Sequence, residues 1–330
     1  IEEETSLEKH MIYVGMGDDK KAALELRKLA DAYPARLEYR HRLAAYYDTM
    51  GDKANAKAVY EDILRRDPND KVAKLAALDK SKNSTDAEYL ETLKPLFGDP
   101  KISIDAKIKE ILPYFPKLDA GNDAMLTQNL LDLGVLVEKA HADDPKAWSL
   151  SGDLFYHANR LDEALEKYRQ CIRLSPNVFS VWENTLDILQ QQKNYSEMLR
   201  VAEQAIDAFP NQPKAYYSFG LAAIEKGRYD DAISQLEQAM LMSGNNLPLR
   251  LDLADQIGLA LLGKKDVDTA IARYEQVLQK GGDKHPGILE HYGDALFQSG
   301  QNRKALEYWQ KANAIRKSPA LEQKISSGKL

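Results

Sequence analysis

The chain has little of several features that mark particular protein classes. It carries one cysteine, Cys171, in 330 residues, so it cannot form an internal disulfide. Its formal net charge is −6 and it has no long basic run, which argues against nucleic acid as a partner. No stretch approaches the roughly 18 apolar residues of a membrane span, so we expect no direct membrane insertion. Cys171 is expected to be a buried structural thiol, because free cysteine behaves as a small hydrophobe.

Motifs for catalysis and metal binding are also missing. The six histidines include no HExxH pair, and the chain has no CxxC, GxSxG or Walker motif and no GxGxxG after a strand. The run from Gly15 to Lys20 lacks the Gly-Lys-Ser/Thr ending of a phosphate-binding loop, so it is interpreted as a turn between helices. The sequence therefore predicts a binding protein without enzymatic activity, cofactor or bound metal.

The chain begins IEEETSLEK, without Met and without the hydrophobic core of a signal peptide. We expect a processed or trimmed product whose targeting signal would lie in a missing N-terminus.

A sequence repeat with a period of about 34 residues is the main feature that is present. Trp148 and Trp182 are separated by one such period, and so are Pro176 and Pro210, each of which follows a small residue by five positions. Repetition at this period is typical of a stacked array of helical hairpins. Small residues allow two helices to cross closely, whereas Pro helps to end a helix.

This pattern resembles the tetratricopeptide repeat (TPR) family. The family pattern has Trp, Leu-Gly, Tyr, a turn Gly, Ala, an aromatic residue, a second Ala and a terminal Pro. The corresponding places of the first clear repeat hold Trp148, Ser151, Gly152, Phe155, Asn159, Ala164, Tyr168, Cys171 and Pro176. The resemblance implies an all-α fold, a right-handed α-solenoid of helix–turn–helix hairpins. Asn159 is expected to take the left-handed conformation at the end of the first helix.

Four segments follow from the register of the repeats. Residues 1–80 are predicted to hold two repeats and an extra helix at 70–80. The pattern breaks over 81–143, which we interpret as one helix and a divergent hairpin, with helical spacing over 102–115 and 124–141 and a kink in the array. Residues 144–318 are predicted to form five repeats, and 319–330 a capping helix and tail.

The resemblance also implies where a partner would bind. In this family a peptide or protein segment usually lies in the concave groove, on first-helix residues that point away from the second helix. The candidate groove residues are Ser149, Asp153, Tyr156, Glu183, Asp187, Gln190, Tyr217, Leu221, Asp255, Glu290 and Asp294.

The candidate groove residues are mostly acidic or apolar. Family members that clamp the acidic C-termini of chaperones use Lys, Asn and Arg at such places, and like charges would repel an acidic tail here. We therefore expect a scaffold or adaptor that binds a basic and apolar protein segment. The carboxylates could instead form a merely solvated face.

Two alternatives remain open at this point. A regulatory or targeting subunit could bind an enzyme, a saccharide or a small ligand at the bend formed by 81–143, provided that Tyr89, Phe97, Tyr114 and Phe115 are exposed there. Self-association through an apolar end repeat is the other alternative.

A looser resemblance over residues 145–318, to TPR proteins of Bacteroidetes-type bacteria, favours the bacterial cell envelope, periplasmic or lipid-anchored. A cytoplasmic location is the alternative.

Overall fold

The computed structural model describes residues 3–78 and 85–330, and every regular element within those residues is a helix. The predicted all-α fold of stacked helix–turn–helix hairpins is confirmed. Among the described residues, none of the helices combines the length and the apolar character that a membrane span requires. The chain forms two compact units, Ile1–Lys167 and Tyr168–Leu330.

The first unit begins with two regular hairpins and continues with helices of uneven length. A 3₁₀ turn (Leu112–Tyr114) separates its seventh and eighth helices. The helices are α1 (Glu3–Gly15), α2 (Asp19–Ala32), α3 (Leu37–Thr49), α4 (Lys53–Arg66), α5 (Lys71–Ala76), α6 (Asp86–Phe97), α7 (Ile104–Ile111), α8 (Phe115–Ala120), α9 (Ala124–Ala140) and α10 (Pro145–His157).

The second unit is a regular series of hairpins that ends in a single helix. The boundary between the units falls within α11 (Leu161–Leu174). The helices that follow are α12 (Phe179–Gln191), α13 (Tyr195–Ala208), α14 (Pro213–Glu225), α15 (Tyr229–Met242), α16 (Leu247–Gly263), α17 (Val267–Leu278), α18 (Pro286–Gln298), α19 (Asn302–Ile315) and α20 (Pro319–Ser327).

The turn inside each hairpin follows from local chemistry. Asn159 has φ +56°, which confirms the predicted left-handed residue, and Gly227 takes the same place in a later hairpin with φ +73°. Lys193 and Lys265 also lie in this region, at φ +54° and +67°. That conformation costs a residue with a Cβ roughly 1 kcal/mol. The packing of the hairpins must therefore stabilise the turns at Lys193 and Lys265.

Glycine in the first helix lets the second helix approach. A Cβ added to Gly258 would lie 2.2 Å from Cζ of Tyr274, and one added to Gly293 would lie 2.6 Å from Cδ1 of Trp309. Both aromatic rings are buried. The large side chain of one helix therefore occupies the space that glycine leaves on the other, as the sequence pattern predicts.

The segment between the regular hairpins differs in detail from the prediction. The predicted helix at 70–80 is observed only over α5, and residues 79–84 lie outside the described residues. The helical spacing over 102–115 does not form one helix: α7 ends at Ile111 and the 3₁₀ turn follows, because Pro113 cannot donate a backbone hydrogen bond. The helix predicted over 124–141 is confirmed as α9, which packs against both α6 and α10. The four sequence segments follow repeat register, and as domain boundaries they stay a prediction.

Candidate functional site

The first helices of the second unit form one continuous surface. Helix α12 packs against α14, α14 against α16, and α16 against α18, so equivalent residues of successive repeats lie side by side. We call this surface the first-helix face. It carries the predicted groove residues Glu183, Asp187, Gln190, Tyr217, Leu221, Asp255, Glu290 and Asp294.

Carboxylates of this face bind cations of the next repeat. Oδ1 of Asp187 in α12 lies 3.0 Å from Nζ of Lys214 in α14. Oδ1 of Asp255 in α16 lies 2.8 Å from Nδ1 of His291 in α18. These pairs join first helices of adjacent repeats, so the carboxylates contribute to the stacking of the hairpins.

The last two predicted carboxylates are engaged by the C-terminal helix. The ammonium of Lys324 in α20 donates to Oε1 of Glu290 at 3.0 Å and to Oδ2 of Asp294 at 2.8 Å. Asp294 also accepts a hydrogen bond from Nε1 of Trp309 at 2.8 Å. Burial by itself would lower the pKa of Lys324. The hydrogen bonds and charges of Asp294 and Glu290 outweigh burial, so the pKa is raised above its usual value.

Asp255 is the most enclosed of the predicted groove residues. Its exposed fraction is 5%, and its Oδ2 would lie only 2.8 Å from a Cβ added to Gly287 of α18. Asp255, Glu290 and Asp294 each have a bonding partner inside the unit, and Asp255 lies beneath the next helix. Their role in binding a partner stays a prediction.

The remaining predicted residues of this face are more accessible. Gln190 is exposed, and Glu183, Tyr217 and Leu221 are half-buried. Burial, together with the charges of Asp252 and Asp255, raises the pKa of Tyr217 to about 12, so Tyr217 keeps its proton at neutral pH. These residues offer a surface that combines a carboxylate, an amide, a phenol and an aliphatic side chain.

The groove residues of the first unit lie beside an apolar cavity. Ser149 and Asp153 of α10 line a cavity of about 230 Å³ together with residues of α7, the 3₁₀ turn and α8, namely Ile108, Leu112 and Phe115. The third predicted residue, Tyr156, is half-buried and packs edge to face on His157, with ring centroids 5.7 Å apart. Here too a carboxylate borders an apolar surface.

Three of the four aromatic residues that a ligand site at the bend would need are buried. Tyr89, Phe97 and Tyr114 are 3%, 0% and 1% exposed, and the hydroxyl of Tyr89 donates to Glu110 at 2.6 Å. Only Phe115 is half-buried, and it belongs to the cavity beside α10. These aromatic residues form the core of the divergent segment, which removes the exposure on which that alternative depended.

The cations that bind the groove carboxylates were not predicted from the sequence. Each of Lys214, His291 and Lys324 belongs to a later repeat than its partner, so a search for local pairs passes over them. The repeat period was a usable signal: Lys324 follows Glu290 by 34 positions and therefore occupies the equivalent place one repeat later. Within residues 3–78 and 85–330, no group of three or more His, Cys, Asp or Glu side chains is arranged to hold a metal ion.

Known proteins resemble the chain over the regular repeats. Tetratricopeptide repeat family models match residues 37–70, 145–178 and 178–323, which together make up more than half of the chain. The E3 ubiquitin-protein ligase CHIP of Arabidopsis thaliana is 28% identical over 89 residues, 27% of this chain and 32% of that protein. The Hsp70-Hsp90 organizing protein of Triticum aestivum is 28% identical over 114 residues, 34% of this chain and 19% of that protein.

These matches span about a third or less of the length of the curated relatives. A solved structure of Pseudomonas aeruginosa pilF aligns with a TM-score of 0.49 at 18% identity, covering 68% of this chain and 97% of that one. Proteins built from such repeats are typically non-enzymatic scaffolds for protein–protein interaction. The matched repeats and the stacked hairpins place the chain in the tetratricopeptide repeat family.

Proposed function

We propose that the chain is a scaffold that binds a basic and apolar segment of a partner protein on its first-helix face. The segment would place aliphatic side chains between neighbouring first helices and a Lys or Arg against their carboxylates. In the first unit, Asp153 and the adjacent apolar cavity offer the same combination.

The way the chain binds its own last helix carries this proposal. Leu321 of α20 is fully buried, and three residues later Lys324 bonds to Glu290 and Asp294 of α18. Residues three apart lie on the same side of a helix, so one face of α20 supplies both the apolar and the cationic contact. A short helical segment with this spacing thus fits the chemistry of a first helix in this chain.

The predicted groove residues do not favour the kind of partner that a relative's name suggests. The Hsp70-Hsp90 organizing protein is named for chaperones, and the sequence of the present chain argues against an acidic chaperone tail as the ligand at the predicted groove residues. Glu183 and Asp153 supply negative charge at those places, which would repel a carboxylate-rich tail. The same charges would speed the association of a basic segment and would favour it over acidic segments.

The test is affinity capture from a lysate of the source organism, followed by peptide mapping of the bound protein. Glu183→Lys reverses a charge on the first-helix face, and Asp153→Lys reverses the charge beside the cavity of the first unit. Asp207→Lys and Glu166→Lys, at exposed positions of α13 and α11, are the matched controls. We expect the two surface variants to lose a partner that the wild type and both controls retain, with unchanged helical circular dichroism.

Mapping should place the bound region of the partner in a segment that contains Lys or Arg and aliphatic residues. Equal recovery by all five proteins, or a mapped segment rich in Asp and Glu, would contradict the proposal.

Exposed apolar residues favour self-association as a second candidate function. Met11, Ile12 and Met16, in and just after α1, are 67%, 58% and 70% exposed. Grouped apolar residues on a surface are a common feature of protein interfaces. Sedimentation velocity at two concentrations tests this: a concentration-dependent shift should disappear in Ile12→Glu and persist in Met125→Glu, a control at a 66% exposed residue of α9. A sedimentation coefficient that does not change with concentration would exclude self-association.

A further inference from the structure

Helix α16 is one turn longer than the other first helices of its unit. It has 17 residues, whereas α12, α14 and α18 each have 13. The close-packing glycine Gly258 comes eleven residues after the start of α16, but Gly220 and Gly293 come seven residues after the starts of α14 and α18. The extra turn is therefore at the N-terminal end of α16, and it carries Leu247 and Arg250.

Two cavities lie beside α16, between α15 and α17. The larger, of about 440 Å³, is lined by Ile233, Ile257 and Leu261 among others. The smaller, of about 120 Å³, is lined by Leu247 and residues around it. Both include Arg273, so they lie end to end. We call the two cavities together the outer groove.

One side of α16 forms the floor of the outer groove. The apolar residues of α16 that line it are spaced by three or four positions, which places them along one stripe of the helix. The stripe spans about 21 Å at the helical rise of about 1.5 Å per residue. Its apolar members are Leu247, Leu251, Ala254, Ile257 and Leu261.

A second departure from the repeat pattern coincides with the smaller cavity. The close-packing place in the second helix holds Ala205, Ala239 and Ala312 in other hairpins of this unit, and all three are fully buried. In α17 that place holds Val277, which is only half-buried and lines the cavity. The extra turn of α16 and the larger side chain of α17 thus both contribute surface to this end of the groove.

The same end of the outer groove is cationic. Arg250 donates to the backbone carbonyl of Gly244 at 3.3 Å, and Lys280 is exposed. In the part of the chain that the structure describes, neither of them belongs to an ion pair with a carboxylate. Arg273 reaches across from α17 to Glu237 of α15, but at 3.5 Å this contact is long, and both side chains are partly exposed. Such a pair is weak, and Arg273 can exchange Glu237 for another carboxylate at small cost.

We propose that the outer groove binds a partner-protein segment that combines aliphatic side chains with carboxylates. The aliphatic side chains would cover Leu247, Leu251 and Val277, and the carboxylates would bind Arg250 and Lys280. Leu247 is 48% exposed, so its burial gives a direct hydrophobic gain. This site has a charge opposite to that of the first-helix face, and it does not depend on the function proposed for that face.

The test selects ligands from a displayed library of random 14-residue peptides on the intact chain. We expect the selection to enrich peptides that contain both Asp or Glu and Leu, Ile or Phe. Fluorescence anisotropy then measures the affinity of the enriched peptides. The double variant Arg250→Glu/Lys280→Glu should weaken their binding about tenfold or more, since each substitution replaces attraction by repulsion. Leu247→Asp should weaken peptide binding as well, because it removes an exposed apolar side chain from the floor of the groove.

The matched control is Arg303→Glu/Lys304→Glu, which makes the same charge change on the exposed side of α19 and should leave the affinity unaltered. Hydrogen exchange should show protection of α15–α17 by the bound peptide. The proposal is overturned if no acidic and apolar peptides are enriched, or if the enriched peptides bind the groove variants as tightly as the wild type. If the wild type forms a dimer and the groove substitutions abolish it, the groove binds a second copy of the chain. That outcome would also overturn the proposal.

Discussion

The ammonium of Lys324 lies 2.8 Å from Oδ2 of Asp294, and this pair joins the C-terminal helix α20 to α18. Their side chains are only 18% and 13% exposed, and Glu290 shares the same ammonium. The last helix is therefore held by a cation that satisfies two carboxylates of the preceding first helix.

Replacement of this cation should loosen the end of the array. Lys324→Ala leaves Glu290 and Asp294 close together without a counter-charge, which should lower the free energy of unfolding by about 2 kcal/mol. Urea denaturation followed by circular dichroism measures the loss, and hydrogen exchange should locate it in α18–α20. Lys317→Ala, at an exposed position, is the control and should change little. Unaltered protection of α20 in Lys324→Ala would contradict the assigned role.

The pair of His291 and Asp255 should make stability depend on pH. Burial lowers the pKa of His291, but the hydrogen bond and charge of Asp255, with smaller contributions from Asp294 and Glu290, raise it above the usual value of 6.5. A raised folded-state pKa gives stability that is fully present below the unfolded pKa and is lost as pH rises through the folded value. The urea midpoint should therefore fall as pH rises from about 6 to about 8.

In His291→Gln this fall should largely disappear, because the titrating group is gone. His10 hydrogen bonds to the backbone carbonyl of Ala22 rather than to a carboxylate, so His10→Gln is the comparison variant and should keep the fall. A pH profile of His291→Gln parallel to that of the wild type would assign the dependence to other groups.

The buried Lys107 should have the opposite effect in the first unit. Its side chain is fully buried, and burial lowers its pKa to about 8, although the charge of Asp99 opposes the shift. Nζ contacts the carbonyl of Asp99 at 2.9 Å and Nε2 of His141 at 2.8 Å. Because the folded state binds the proton less tightly than the unfolded state, stability should rise as pH increases from about 8 to about 10.5.

Lys107→Met keeps the length of the side chain and removes the charge. We expect it to stabilise the protein by about 1–2 kcal/mol at pH 7 and to abolish the alkaline rise, because buried charges are often replaced by apolar groups with a gain. Thermal and urea denaturation at pH 7 and pH 10 measure both effects, with Lys109→Met at an exposed site as control. Strong destabilisation at pH 7 would mean that the two hydrogen bonds of Lys107 outweigh its burial cost.

Gly258→Ala should be poorly tolerated. The new Cβ would lie 2.2 Å from Cζ of Tyr274, whose ring is fully buried and whose hydroxyl donates to the backbone carbonyl of Asp255 at 3.2 Å. The ring cannot move aside, so α16 and α17 must separate, at a cost of about 1–3 kcal/mol. Gly15→Ala is the control, since a Cβ there meets nothing within 4 Å and Ala favours the helix. Equal urea midpoints for the two variants would refute the argument.

The hairpins could be predicted from the sequence because their determinants are local. Repetition at a fixed period predicted the helices of the regular repeats, and Asn159 indicated a turn that needs a left-handed residue. Gly258 and Gly293 mark close crossings, since only glycine leaves room for the ring on the second helix. The length of α7 was less predictable, because helical spacing continues past Ile111, whereas Pro113 lacks the backbone donor that a longer α-helix needs.

The sequence by itself determined the fold class, the register of the repeats and the excess of carboxylates on the first helices. Only the tertiary structure decided which of those carboxylates are open. Asp255 and Asp294 bind His291 and Lys324, because stacking brings residues about one repeat apart into contact. Burial of Tyr89 was likewise decided by the packing of the divergent segment. Such pairing and burial depend on how successive helices are placed in space, and no local pattern of residues specifies that placement.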